Sequence, residues 1–171
     1  MARRQQGFSM IELLTVLAII GVLAAISIPM YHSYQVRARN TQAISDVYHL
    51  YLFENQFYDE HNEYVAIAAG DKQANGLISK NVTLSDGSSV LFEIRTLTPG
   101  VQVAATTDAN NQTLVMGGLA VGSNDIIALD PDAANGYHAI PLSGTFSEAS
   151  LPAATSGNDL AAYPTYQQYR P

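Results

Sequence analysis

The sequence contains no cysteine among its 171 residues. A chain without cysteine has no disulfide framework, so its folded part must be held by packing, hydrogen bonds or a bound metal. No internal repeat is visible, so a repeat architecture is not expected. At this length the chain has room for one modest globular domain and one long additional helix.

Basic residues are scarce. The chain has 8 Lys and Arg residues against 15 Asp and Glu residues, which gives a formal net charge of −7. Beyond the first few residues, Arg37 and Arg39 form the one close basic pair. Because no basic stripe is present to neutralise phosphates, the composition argues against nucleic acid as a primary partner.

Motifs for catalysis are also missing. The four histidines, His32, His49, His61 and His138, include no H-x-x-x-H pair, and no cysteine could complete a zinc site. Neither a nucleophile elbow nor a glycine-rich phosphate loop ahead of a helix occurs. We therefore expect a protein that is not an enzyme.

One cluster of potential metal ligands lies between residues 125 and 135. It consists of Asp125, Asp130, Asp132 and Asn135. Oxygen ligands of this kind suit calcium, although the spacing of an EF-hand fails because Ala134 and Pro141 fall on ligand positions. The simpler interpretation is a turn rich in Asp and Asn. Calcium is a hypothesis for this segment, and no other cofactor is predicted.

A long apolar run is the strongest feature that the sequence does have. Leu13 to Met30 contains 18 residues without a charge, and a helix of that length is about 27 Å long, close to the hydrocarbon thickness of a bilayer. Arg3 and Arg4 precede the run, which predicts a cytoplasmic N-terminus. A signal peptide or a plain single-span anchor also fits the length, but neither explains Glu12 directly before the run.

The residues from Gly7 to Glu12 read Gly-Phe-Ser-Met-Ile-Glu. With the basic residues before them, they resemble the prepilin leader and N-terminal methylation motif shared by type IV pilins and the pseudopilins of type II secretion. The resemblance is close from Gly7 to about Asn40 and weak beyond. It implies that a prepilin peptidase cuts between Gly7 and Phe8 and that Phe8 becomes an N-methylated first residue. Loss of the leader would leave 6 basic and 15 acidic residues, a net charge of −9.

Glu12 follows Phe8 by one helical turn. Its carboxylate could pair with its own Phe8 amine or with that of a neighbouring subunit. In this family the corresponding carboxylate pairs with the amine of an incoming subunit, and pairing removes the cost of a lone charge in apolar surroundings. The resemblance therefore implies that Glu12 and Phe8 set the register of assembly. A carboxylate at a helix N-terminus is also favourable by roughly 0.3–1 kcal/mol through the helix dipole, and both roles are compatible.

Gly21 and Pro29 interrupt the apolar run. A proline inside a helix removes one backbone hydrogen bond and clashes with the preceding turn, so the stretch between these two residues should be the weakest part of the helix. A harmless kink, common in membrane helices, is the alternative. The resemblance implies that this stretch can lose helicity in a filament and make the filament extensible.

The helix is expected to continue beyond the membrane segment, because Met30 is followed by no Gly or Pro before His61. Apolar and aromatic residues recur at helical spacing and should form one packed stripe. They are Ala43, Ile44, Val47, Leu50, Tyr51, Phe57 and Tyr58. The polar residues expected on the other face are Asp46, His49, Asn55 and Asp59.

Beyond the helix, short β-prone segments alternate with turn residues. The predicted segments are Val90–Thr96, Val101–Thr107, Gln112–Val121, Asp125–Leu129 and Tyr137–Leu142. We expect about four strands in a half-buried antiparallel sheet on the outer half of the helix. Residues 65–86 are expected to form a surface loop with at most a short helix, and residues 151–171 an irregular tail over the sheet.

The predicted fold class is therefore α+β and pilin-like. A leader, residues 1–7, precedes a long helix over 8–62, of which about 13–30 would occupy the membrane and later the filament core. A β-rich globular head with an irregular tail occupies 63–171.

By resemblance, the predicted function is that of a structural subunit of a type IV pilus filament, a homo-oligomer. The resemblance implies a prepilin peptidase and an inner-membrane assembly platform as partners. It also implies a location in the bacterial inner membrane before assembly and on the cell surface afterwards. Two alternatives stay open: the major pseudopilin of a type II secretion system, and a membrane-tethered protein whose head binds a ligand.

Overall fold

The computed structural model describes residues 8–133 and 136–166. One long helix, α1 (Met10–His61), comes first and is followed by six strands. The strands are β1 (Ile78–Thr83), β2 (Ser89–Ile94), β3 (Val101–Thr107), β4 (Leu114–Ala120), β5 (Asp125–Leu129) and β6 (Tyr137–Pro141). A single 3₁₀ turn, Glu148–Ser150, follows the last strand. The predicted α+β class is thus confirmed.

The chain divides into two compact units at the junction of Val36 and Arg37. Within the described residues, the first unit consists of the start of α1 with Phe8 and Ser9 before it. The second unit holds the remainder of α1, all six strands and the segment that follows them.

In the second unit, one face of α1 is buried. Ala43, Val47, Leu50 and Phe57 are spaced by three, four or seven residues and all belong to one hydrophobic core. This spacing places them on the same side of the helix. The predicted packed stripe is confirmed for these four residues.

Asp46 does not lie on the outer face of α1, where the sequence placed it. Its exposed fraction is only 1%. It follows Ala43 by three residues and precedes Leu50 by four, so helix geometry puts it on the buried side. The prediction from polarity is wrong for Asp46, because the buried carboxylate accepts hydrogen bonds from Thr98 in the head.

The strands β3 to β6 form a four-stranded antiparallel sheet in sequential order. The register of β3 and β4 runs from Val101 opposite Ala120 to Thr107 opposite Leu114. The four predicted β segments after residue 100 each contain one of these strands. Sequential hairpins of this kind need only short turns, which the sequence supplies with Asn, Asp and Gly.

The predicted loop over residues 65–86 is wrong in part. Residues 78–83 form β1, which pairs with β2 in a separate two-stranded antiparallel sheet. The turn between them is tight: the Gly87 N–H donates to the Leu84 carbonyl at 2.9 Å, and Gly87 has a φ of 85°. This positive φ favours glycine and is typical of hairpins with a G1 bulge. The sequence did not predict β1 because the composition of this segment (ISKNVT) is mostly polar. The strand forms through its pairing with β2 across the turn.

The four-stranded sheet is covered on both faces. One face packs against α1 and the hairpin, and the other packs against the segment after β6, through Phe146, Leu151 and Leu160. For this reason every residue of β4 is buried. The tail predicted to lie over the sheet does so within the described residues up to 166.

Two adjacent glycines of β4 allow this close packing from both sides. A Cβ on Gly118 would lie 2.9 Å from Val47 Cγ2 and 3.3 Å from the Ala43 carbonyl oxygen in α1. A Cβ on Gly117 would lie 2.6 Å from Leu151 Cδ2 on the opposite face. Glycine is therefore required here for space, not for backbone conformation.

We predict that Gly118→Val destabilises the head by forcing α1 away from the sheet. Overpacking of this kind typically costs about 1–3 kcal/mol. Thermal unfolding of the full chain in detergent should show a midpoint several degrees lower. Gly70→Val is the matched control, because Gly70 is exposed and a Cβ there meets no atom within 4 Å. Equal midpoints for the two variants would contradict this account.

Candidate assembly interface

The first part of α1 exposes apolar side chains in all directions. Adjacent pairs such as Leu13 and Leu14, or Ile19 and Ile20, are each more than half exposed. Neighbouring positions on a helix point about 100° apart, so no side of this segment is polar. A helix that is apolar all round belongs in a membrane or within a bundle of other helices. By length and composition, α1 is one helix able to cross a membrane.

Ser9 and Glu12 form a reciprocal cap at the start of α1. The Ser9 N–H donates to Glu12 Oε2 at 2.8 Å, and the Glu12 N–H donates to Ser9 Oγ at 3.3 Å. This arrangement is a capping box, which satisfies two backbone donors that a helix start leaves unpaired. Sequence reasoning missed Ser9, although a Ser followed three residues later by Glu before an apolar run is the usual signal.

The capping box sets the direction of the Glu12 carboxylate. Because the carboxylate accepts from the Ser9 N–H, it is held at the start of the helix. Ser9 directly follows Phe8, whose exposed fraction is 85%. The helix N-terminus favours a negative charge at this place. Gly7 lies outside the described residues. The structure thus brings Glu12 close to the segment where the predicted cleavage would create an amine.

Gly21 and Pro29 both lie inside α1. Pro29 has no N–H to donate to the carbonyl one turn earlier, which removes one hydrogen bond of the helix. Ser33 Oγ donates to the Pro29 carbonyl at 3.2 Å, and a Cβ at Gly21 would meet no atom within 4 Å. The segment from Gly21 to Pro29 is helical in this structure.

Buried carboxylates attach α1 to the head. Asp46 accepts two hydrogen bonds from the Thr98 N–H, at 2.9 and 3.0 Å, and one from Thr98 Oγ1 at 2.8 Å. Burial raises the pKa of Asp46, and the bonds from Thr98 oppose that rise. Lys72 adds a cation nearby and donates through Nζ to the carbonyl oxygens of Thr98 and Val101. These bonds fix the segment between β2 and β3 to the helix.

Glu54 is the most deeply buried acid of α1. Its Oε2 accepts from the Val65 N–H at 2.9 Å, which holds the chain as it leaves the helix. Its other oxygen, Oε1, is buried with no hydrogen-bond partner among the described residues. Burial raises the pKa of Glu54 to about 8, against the lowering effects of the Val65 bond and of Lys80. Desolvation dominates because the ionised carboxylate has lost its water.

The predicted calcium ligands Asp125, Asp130 and Asp132 do not come together around one point in the structure. Asp125 begins β5 and Asp130 follows its last residue, so about 16 Å of extended strand separates them. Asp130 is buried, and its two oxygens accept from the Asp132 and Asp159 N–H groups at 2.9 and 2.8 Å. Asn135 lies outside the described residues. Within residues 8–133 and 136–166, no group of three His, Asp or Glu is placed to hold a metal. The bonds of Asp130 match the Asx-rich turn interpretation.

The long helix with its apolar, exposed first part and the antiparallel β head are consistent with the predicted α+β, pilin-like fold. Residues 2–28 match the family model described as the prokaryotic N-terminal methylation motif. The chain is 40% identical over 86 residues to a fimbrial protein of Pseudomonas aeruginosa, which covers 50% of this chain and 56% of that protein. It is 34% identical over 90 residues to the type IV major pilin protein PilE1 of Neisseria gonorrhoeae, covering 48% of this chain and 54% of that one.

A third relative is the type IV major pilin protein PilA of Myxococcus xanthus, 41% identical over 61 residues that cover 36% of this chain and 28% of that protein. The N-terminal half of the chain is thus similar to type IV pilins, and residues 2–28 carry the methylation motif. The chain spans about half the length of the first relatives it matches. No solved structure shows a significant similarity to it.

We predict that the head becomes less stable as the pH rises toward about 8. The folded-state pKa of Glu54 lies above the unfolded value of 4.5, so the folded chain binds more protons in this window and stability falls with rising pH. The contribution of Glu54 to the free energy of unfolding is fully present below about pH 4.5 and is lost as the pH rises past the folded-state pKa of about 8. Glu54→Gln should flatten the dependence.

Thermal unfolding of the full chain in detergent between pH 4.5 and 9 checks this prediction. Glu60→Gln is the control, because Glu60 is exposed on the same helix. If the wild-type chain and Glu54→Gln show parallel pH profiles, Glu54 is not the group responsible.

Proposed function

We propose that this protein is a structural subunit of a type IV pilus filament and not an enzyme. The observation that carries the proposal is the exposed apolar half of α1, preceded by the Gly-Phe-Ser-Met-Ile-Glu sequence. Such a surface is stable in a lipid bilayer before assembly and in a bundle of equivalent helices afterwards. The names of the relatives agree with this role, since each is called a fimbrial protein or a type IV major pilin.

The proposed order of events begins at the inner membrane. A prepilin peptidase removes residues 1–7 by cutting between Gly7 and Phe8, and the new amine of Phe8 is methylated. An inner-membrane assembly platform then moves the subunit from the bilayer into the filament. Residues 13–30 would form the filament core, and the head over 63–171 would form its surface outside the cell.

Glu12 is proposed to direct assembly. Its carboxylate is held at the helix start by Ser9, beside the place where Phe8 would carry a positive amine. In apolar surroundings an unpaired carboxylate is costly, and an amine from an adjacent subunit removes that cost at one relative height only. Glu12 would therefore fix the axial register of neighbouring helices.

Gly21 and Pro29 are proposed to make the filament extensible. Pro29 removes one backbone hydrogen bond and Gly21 lowers helix propensity by about 1 kcal/mol relative to alanine. Under tension, this stretch of α1 would lose helical structure before the rest, because an extended residue is about twice as long as a helical one.

We predict that filaments sheared from cells contain a chain that begins with N-methylated Phe8. Intact-mass spectrometry with N-terminal fragmentation measures this directly. Processed chain that occurs only in the inner membrane would favour the pseudopilin alternative. A chain that keeps Met1, or one that is cut after the apolar run, would contradict the proposed function.

We predict that Glu12→Gln abolishes filaments but leaves the chain in the membrane. Glutamine can still complete the capping box with Ser9, yet it carries no charge to pair with an amine. Surface filaments are counted by electron microscopy, and the membrane fraction is quantified by immunoblot. Thr15→Val is the control, because Thr15 lies one turn further on and only bonds to the Glu12 carbonyl. If Glu12→Gln assembles normally, Glu12 acts through the cap alone.

A further inference from the structure

One side of the second part of α1 is exposed and faces away from the head. Its residues are spaced by three, four or seven positions, which places them on the same side of a helix. They form the outer stripe, which consists of Arg37, Thr41, Ser45, Tyr48, Leu52 and Asp59, and all six are exposed. Tyr48 and Leu52 are large, and their exposed fractions are 48% and 46%. A partner that lies along the outer stripe would remove both from water.

Charged side chains occur only at the two ends of the outer stripe. Arg37 and Asp59 are 22 residues apart, which is about 33 Å along the helix axis and about 40° around it. Three other Asp, Glu or Arg residues lie between them in sequence, and all three contact the head. Asp46 and Glu54 are buried, and Arg39 donates to a backbone carbonyl of the head at 3.1 Å. The outer stripe is therefore positive at one end, uncharged in the middle and negative at the other end.

Arg37 is the one Lys or Arg side chain without a bonded partner among the described residues. The other four have partners: Arg39 bonds to Val121, Lys72 to Thr98 and Val101, Lys80 to Asp71, and Arg95 to Glu93. An exposed guanidinium presents a positive charge and five N–H donors. The Arg37 side chain is thus available to an acidic group of another molecule.

Asp59 is the complementary group, and its place on α1 is unfavourable for an acid. It lies two residues before His61, where α1 ends, and the C-terminus of a helix disfavours negative charge. No Lys or Arg occurs between residues 55 and 63, one turn to either side. None of the ion pairs among the described residues involves Asp59. A cation from another molecule would therefore stabilise this end of α1.

A second copy of this chain supplies the missing partner at each end. When two copies point in the same direction and are offset by the length of the outer stripe, Arg37 of one comes level with Asp59 of the other. The remaining Asp59 and Arg37 can make the same contact with further copies. Because the offset lies along the helix axis, this head-to-tail contact does not close into a ring, and its repetition generates a filament.

We propose that Arg37 of one copy pairs with Asp59 of the next copy along the filament, and that this pair fixes an axial offset of about 33 Å. The inference rests on the proposed function, because it identifies a contact between subunits of the same filament. A surface ion pair contributes little to affinity. Its effect is on register, because any other offset leaves both charges opposite the uncharged middle of the outer stripe or beyond its ends.

The apolar middle of the outer stripe supports the same partner. Tyr48 and Leu52 are best covered by an apolar surface, since burial of apolar area is favourable. A second copy carries exposed apolar side chains shortly before its own Arg37 in sequence, such as Met30 and Tyr34. One neighbouring copy thus provides both the cation and the apolar side chains that this face of α1 lacks.

Charge exchange tests the pair. Arg37→Asp and Asp59→Arg each place like charges at the contact and should reduce the number of surface filaments several-fold. The double variant Arg37→Asp with Asp59→Arg restores an opposite pair and should restore most filaments. The matched control is Arg37→Asp with Glu60→Arg. Glu60 is exposed on the same turn but points about 100° away from Asp59, so this control should assemble no better than Arg37→Asp alone.

Filaments are counted by electron microscopy, and the variants are compared at equal amounts of chain in the membrane fraction. Normal filaments in both single variants, or equal rescue by Asp59→Arg and Glu60→Arg, would overturn the proposed pair. Either result leaves the proposed function standing, because the natural chain still assembles. If the natural chain forms no filaments, the proposed function and this inference fail together.

Zero-length cross-linking measures the contact directly. Arg37→Lys keeps the positive charge and introduces an amine, which a carbodiimide joins to a touching carboxylate as an amide while the reagent takes up the water. Treated filaments should give a ladder of oligomers on a denaturing gel and a peptide pair that joins residues 37 and 59. These residues are about 33 Å apart within one chain, so the link forms only between copies.

Filaments of Arg37→Lys combined with Asp59→Asn are the control for this cross-link. They lack the carboxylate at residue 59 and should give no such peptide pair by mass spectrometry. Absence of the peptide pair from filaments of Arg37→Lys alone would contradict the proposed contact.

Discussion

The first part of α1 exposes apolar side chains on every side, and this surface cannot remain in water. Burial of apolar area is worth about 25 cal/mol per Å², so a helix with no polar face must be surrounded by lipid or by other helices. Both surroundings require the backbone to satisfy its own hydrogen bonds, which a helix does. The capping box of Ser9 and Glu12 satisfies two further backbone donors where the helix begins.

The second unit contains no cysteine, so packing and hydrogen bonds must stabilise it without a disulfide. It does so by covering both faces of a four-stranded sheet, with α1 on one side and the segment after β6 on the other. Gly117 and Gly118 let both layers approach closely. Asp46 and Glu54 then bind the backbone of segments that follow α1 and β2. The buried acids are thus structural acceptors, and their raised pKa values are a consequence of burial.

Sequence patterns predicted the elements that depend on local chemistry. The apolar run, and the absence of Gly and Pro between Met30 and His61, predicted a helix close to the observed bounds of α1. Turn residues bounded five of the six strands. The pattern failed for β1, a polar strand that exists because β2 pairs with it. It also failed for Asp46, whose burial depends on the Thr98 backbone 52 residues away. Both errors concern hydrogen bonds to residues outside the segment in question, which the pattern of that segment does not contain.

The features of the candidate site also differ in whether the sequence alone could predict them. The sequence by itself determined the apolar run, the place of Glu12 before it, and the Gly7–Phe8 junction, because hydropathy, charge and a short motif are properties of consecutive residues. Only the tertiary structure decided how the outer strands of the four-stranded sheet are covered, since pairing of β3 with Ile67 and of β6 with Thr165 depends on how distant segments meet. The same holds for the contact between α1 and the hairpin, in which Phe57 and Phe92 meet edge to face.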